Sequence, residues 1–151
     1  MYSFIFVRKP KSHNSFQKDS TPGRRYKEAL TEALAASCPN YESSTQDMYG
    51  LVYHFYTKYE GFDADNLSKP IWDCLCNELY NDDRQVKLRV AGSFNLLDAS
   101  YDFKSLNFTG LSGDLIASLL DAFETESHIL YIECGVFNSD MIRLNLAENA
   151  N

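Results

Sequence analysis

Apolar and polar positions alternate loosely over residues 2–8, a stretch rich in Phe, Ile and Val, and this predicts an opening strand. Lys9 to Pro22 holds two prolines and three serines with no apolar period, which makes it a polar loop. From Arg24 to Ser37 the residues Tyr26, Ala29, Leu30, Ala33 and Leu34 recur at spacings of three and four, the mark of an amphipathic helix ending near Cys38-Pro39. Residues 50–59 are β-branched and aromatic without helical period, so a second strand is expected. Leu67, Ile71, Leu75 and Leu79, with Trp72, then mark a helix to about Tyr80. Pro70 lacks an amide hydrogen and clashes with the carbonyl four residues back, which predicts a start at about Leu67 or Ser68. A third strand is expected over 84–94, with Val86, Leu88 and Val90 on one face and Lys87 and Arg89 on the other. After a mixed stretch at 95–110, Ser112 reads as the N-cap of a helix to Glu124, packed through Leu115, Ile116, Leu119, Leu120 and Phe123. His128 to Phe137 is the last strand.

The order β, α, β, α, β, α, β predicts an α/β or α+β domain with a single mixed sheet and flanking helices. With 151 residues, 44% of them apolar, the chain can bury one core without disulfide or metal support. The expected organisation is one domain over residues 1–137 with a tail at 138–151. Cys38, Cys74, Cys76 and Cys134 form no C-x-x-C pair, and free thiols in a reducing compartment account for them. No apolar run approaches the roughly eighteen residues of a membrane span, and residues 1–7 are too short for a secretory signal. A cytoplasmic protein without membrane contact is expected.

A net charge of −7 argues at first against a nucleic-acid partner. The distribution of charge points the other way. Arg8, Lys9, Lys11, Lys18, Arg24, Arg25 and Lys27 face only Asp19 within residues 1–27, whereas the rest of the chain carries seven basic and twenty acidic residues. These seven cations are the candidate contacts to nucleic-acid phosphates.

The densest chemistry is Asp63-Ala64-Asp65-Asn66-Leu67-Ser68-Lys69, followed after one helix length by Asp82-Asp83. If the chain stays extended, Asp63 and Asp65 point the same way, and Asp83 is expected to return to them. Carboxylates about 4 Å apart repel by roughly 4 kcal/mol at an effective dielectric near 20, so such a cluster binds a cation or titrates upward. Mg²⁺, which takes oxygen ligands, resolves the conflict. Lys69 sits in the first helical turn, where the macrodipole gives a cation no structural reason to be, and it can face the carboxylates, a phosphate or Asp73. Each piece also has a plain structural reading: Asp65 or Asn66 as an N-cap, Asn81-Asp82-Asp83 as a solvated turn, Asp73 as a partner of Lys69, and His13, His54 and His128 as packed side chains. A calcium loop is ruled out, because Leu67 and Ser68 stand where a ligand and a glycine are needed and Cys74 stands where a glutamate is.

Taken together, Asp63-x-Asp65-Asn66-Leu67-x-Lys69, the following helix with Asp73, and Asp82-Asp83-x-Gln85-Val86 resemble the RusA family of Holliday junction resolvases. The resemblance is densest over residues 50–92, and the opening strand with Pro10-x-Ser12-x-Asn14 and its basic stretch is similar to the family's start. It implies a homodimer whose Mg²⁺-dependent sites, with Mn²⁺ as a substitute ion, nick two strands of a four-way DNA junction in recombination and repair. By position it assigns Asp63, Asp65 and Asp83 as metal-binding catalytic aspartates and Lys69 as the catalytic lysine. The chain departs from the family in its acidity and in an extra segment at 95–127, which packs as a core stripe, extends a dimer interface or takes a protein partner. Two other functions stay open: a non-catalytic binding or regulatory protein on the same fold, and a nuclease for other branched DNA.

Overall fold

The computed structural model describes residues 1–12, 16–17, 19–61 and 63–148. Strand β1 (Tyr2–Phe6) leads to helix α1 (Thr21–Ser37), β2 (Met48–Tyr56), helix α2 (Ala64–Leu75), β3 (Val86–Asn95), helix α3 (Gly113–Thr125) and β4 (His128–Val136). The expected succession of strands and helices is the observed one. The four strands form a single mixed sheet in the order β1-β4-β2-β3. Strand β2 runs parallel to β3, and β4 is antiparallel to both β1 and β2.

Alternation along the central strands sends side chains to two different layers. Phe4, Phe6, Met48, Val52, Leu130, Ile132 and Cys134 pack with Tyr26, Leu30 and Leu34 of α1 and Leu67, Ile71 and Leu75 of α2. On the other face Phe55, Ile129 and Tyr131 pack with Leu115, Leu119 and Ala122 of α3. The segment 95–127 therefore supplies the third layer of an α/β/α stack, its apolar stripe used as core. Trp72 is fully buried and lies against Gly50, where a Cβ would fall 2.5 Å from the indole ring, so only glycine lets the helix approach the sheet this closely.

Helix starts differ from the periodicity reading. Helix α1 begins at Thr21, three residues earlier, because the Ser20 hydroxyl accepts from the Gly23 N–H at 3.1 Å and Pro22 fits the first turn. Helix α2 begins at Ala64 with Pro70 inside it. Proline there removes only the hydrogen bond to the Asn66 carbonyl, and the first turn closes before it, with Leu67 N–H donating to Asp63 O at 3.0 Å. The helix stops at Cys76, and Asn77 takes a left-handed φ of 73°, a conformation asparagine tolerates better than most residues. Ser112 caps α3 as expected, accepting from Leu115 N–H at 3.1 Å. No disulfide joins any of the four cysteines. No helix among the described residues is long and apolar enough to cross a membrane.

Candidate active site

The acidic turn is built where β2 leaves the sheet. Gly61, with φ 82°, bends the chain through the left-handed region that favours glycine, and Asp63 (φ −78°, ψ 145°) occupies the N-cap of α2. The Asp63 carboxylate makes no cap hydrogen bond. Asp65 lies one step into the first turn, and both aspartates are exposed. They stand at the positive end of the helix dipole, which favours anionic groups. Because the helix sets in at Ala64, the extended geometry expected to align the two side chains ends at Asp63.

Lys69 is engaged one helical turn further on. Its Nζ lies 2.6 Å from Asp73 Oδ1, the (i, i+4) pair anticipated for Asp73, and both side chains are partly exposed.

Asp83 opens a single 3-10 turn, Asp83–Gln85, that leads into β3. The turn is fixed by its neighbours. Gln85 Oε1 accepts from Asp82 N–H at 2.9 Å, and Gln85 Nε2 donates to the carbonyls of Ser44 at 2.7 Å and Gln46 at 2.9 Å. Hydrogen bonds from Arg84 hold the Asp82 carboxyl down at about 2. Asp83 itself is exposed and close enough to Tyr80 that its charge, after burial, raises the Tyr80 phenol.

Topology then separates the expected trio. Strands β2 and β3 are parallel, with Met48 beside Val86 and Tyr56 beside Asn95, so α2 must travel the length of the sheet between them. Its twelve residues rise about 18 Å. Asp63 and Asp65 stand beyond the carboxyl end of β2, and Asp83 stands at the amino end of β3, in the turn that Gln85 ties to Ser44 and Gln46. Convergence of all three aspartates was expected; one chain does not bring it about. Among the described residues no group of three or more His, Cys, Asp or Glu side chains is placed to hold a metal ion.

The basic segment shares the end of the sheet that carries Asp63 and Asp65. Strand β1 is parallel in direction to β2, since both are antiparallel to β4, and it therefore delivers Arg8, Lys9 and Lys11 to the carboxyl end of β2. Helix α1 starts at that same end, with Phe6 and Tyr26 in edge contact at 5.5 Å, which brings in Arg24, Arg25 and Lys27. Lys9 Nζ reaches Glu60 Oε2 at 3.1 Å, and Lys58 reaches Glu60 Oε1 at 3.7 Å. Arg24 donates to the Asp19 carbonyl at 2.5 Å, and its charge remains exposed. Lys18 and His13 lie outside the described residues.

One network was not legible in the sequence. His128 Nε2 lies 3.2 Å from Glu60 Oε2, and His128 Nδ1 lies 3.0 Å from His54 Nε2, the two rings stacked. Both histidines are packed, as expected, His54 at 3% and His128 at 9% exposure. Burial, with His128 adding a smaller contribution, pushes His54 down to about 4. Glu60 thus anchors the loop before Asp63 to β4 and to the end of β1. A lone glutamate after an aromatic strand gives no pattern by which this could have been read.

Residues 7–96 match the model of the RusA endodeoxyribonuclease family. This chain belongs to the RusA family. Members are endonucleases that resolve Holliday junctions, so membership implies an endodeoxyribonuclease that takes branched DNA. The match spans the basic segment, the acidic turn, α2 and Asp83, and it stops at Leu96, before α3 and β4. No curated protein matches the chain.

Divalent-metal dependence is a property of RusA-type resolvases. The donor set at the head of α2 is all oxygen and fits Mg²⁺, an ion commonly held through one or two carboxylates with water and substrate phosphate filling its remaining positions. A three-carboxylate site drawn from one copy does not fit this fold.

Proposed function

We propose that the protein is a Mg²⁺-dependent endonuclease that hydrolyses phosphodiesters at four-way DNA junctions in recombination and repair, acting as a homodimer. The observation that carries this reading is the shared location of the Asp63-Asp65 turn and the basic set at the carboxyl end of the parallel strands. Ligands of open sheets with helices on both faces settle at that end. Phosphates of a junction arm held by Arg8, Lys9, Lys11, Arg24, Arg25 and Lys27 would lie against the head of α2. Asp63 and Asp65 would hold the ion, and Lys69, leaving Asp73, would offset charge growing on the phosphate. When bound, the ion supplies an activated water and neutralises the developing negative charge.

Asp83 enters this proposal through the second copy. A two-fold contact is isologous, so it can set Asp83 of each copy against the α2 head of the other and build two equivalent sites. Paired incision of two strands calls for two such sites.

The test is cleavage of four-way, three-way, flap and linear DNA by the full chain. Mg²⁺-dependent incision of the four-way junction is expected, lost in Asp65→Asn with junction binding retained. Cleavage by Asp65→Asn at the wild-type rate refutes the assignment, and preference for flap or three-way DNA makes the protein a nuclease of other branched DNA.

A second reading, a non-catalytic RusA-like binding protein, is favoured by the distance between Asp83 and the α2 head. It requires that neither Mg²⁺ nor Mn²⁺ bind at millimolar concentration.

A further inference from the structure

The sheet face turned towards α3 carries a feature that phosphodiester cleavage does not use. Between that face and the loop at 106–111 lies a pocket of about 360 Å³, lined by Leu51, Tyr53, Leu106, Phe108, Tyr131 and Glu133 among others. Its walls are mostly aliphatic and aromatic, with Asn107 and Thr109 as neutral polar members, and Glu133 is the one charged residue in the lining. Strand register explains the arrangement. Leu51 stands opposite Glu133 and Tyr53 opposite Tyr131, so these four side chains project from the same face.

Among the described residues, Glu133 is hydrogen-bonded by phenols alone. Tyr49 Oη donates to Glu133 Oε2 at 2.5 Å, and Tyr131 Oη donates to Glu133 Oε1 at 2.5 Å. Burial, and after it the hydrogen bond and charge of Glu133, pushes both phenols upward, so they remain protonated donors. Among the described residues no Lys, Arg or His lies within ion-pair distance of this carboxylate. Two neutral donors orient a half-buried charge without cancelling it, and a partly desolvated carboxylate without a counter-ion is costly. The Tyr53 and Tyr131 rings, 6.4 Å apart between centroids, add electron-rich faces that attract cations and repel anions.

We propose that this pocket binds an alkylammonium group, with its charge on the Glu133 carboxylate against the Tyr53 and Tyr131 rings and its aliphatic body on Leu51, Leu106 and Phe108. The volume suits a small ligand or a single side chain. The same chemistry is offered by a free aliphatic amine and by a lysine side chain of another protein.

The experiment titrates the full chain with butylammonium, with the methylamide of Nα-acetyl-lysine and with neutral 1-pentanol, following amide chemical shifts. Saturable shifts at Leu106 and Tyr131 are expected with an ammonium probe, with 1-pentanol at least about tenfold weaker. Tighter binding of the lysine derivative identifies a protein side chain as the source, and tighter binding of butylammonium a free amine. Glu133→Gln should weaken the ammonium probe by at least about tenfold and leave 1-pentanol unchanged. Should that variant not fold, Leu106→Lys, a change at a surface position, should fill the site with its own cation and abolish binding. Equal affinity for 1-pentanol, unchanged ammonium binding in Glu133→Gln or Leu106→Lys, or no saturation by either ammonium probe overturns the proposal.

Discussion

Lys9 Nζ lies 3.1 Å from Glu60 Oε2, which ties the basic end of β1 to the loop that carries Asp63. The Lys9 side chain is 61% exposed, so the pair adds little to stability. Its consequence is placement: a DNA phosphate held at Lys9 is held beside the acidic turn.

Lys9→Ala should therefore leave the thermal midpoint almost unchanged while weakening junction binding. The slope of log affinity against log salt should fall by about one unit, the signature of one lost phosphate contact. A fluorescence anisotropy titration over several salt concentrations measures this. An unchanged slope would remove Lys9 from the DNA interface.

His54 should make the fold acid-sensitive. Buried beside His128, it takes up a proton only near 4 when folded, against 6.5 for the free side chain. The unfolded chain binds that proton first as pH falls, so stability should decline from about pH 6.5 towards pH 4, by at most about 3 kcal/mol. Urea midpoints across this range, compared with those of His54→Gln, report the contribution. Parallel pH profiles for the two proteins would contradict it.

Gly50→Ala tests the packing that seats α2. The added methyl would meet the Trp72 ring at 2.5 Å, and relieving such a clash in a packed core costs about 1–3 kcal/mol. Chemical denaturation should show a loss in that range. A neutral effect would mean that α2 does not press on β2 as described.

Much of this fold was legible because each element carries one dominant period. Leu67, Ile71 and Leu75 define α2 as clearly as Val86 and Leu88 begin β3, and Ser112 marks its own helix. Helix starts were harder, since the Ser20 hydroxyl that caps α1 and the Asp63 carbonyl that closes the first turn of α2 leave no mark on hydrophobic spacing. The residue types of the candidate site were also legible, as were their family and the pairing of Lys69 with Asp73. Their spatial relation was missed, although the strand–helix–strand order favours parallel strands; parallel β2 and β3 send Asp83 to the far end of the sheet. The Glu60–His128–His54 chain stayed hidden because it joins residues far apart in the sequence.

The most direct measurement mixes two variants each expected to be inactive alone, Asp65→Asn and Asp83→Asn, and assays the mixed dimers on a four-way junction with Mg²⁺. If each site takes Asp63 and Asp65 from one copy and Asp83 from the other, a mixed dimer keeps one intact site. It should then nick a single strand, although neither parent cleaves. If all three aspartates serve within one chain, both sites of the mixed dimer are damaged and no incision appears; that silence, with dimer exchange verified, would contradict the shared site.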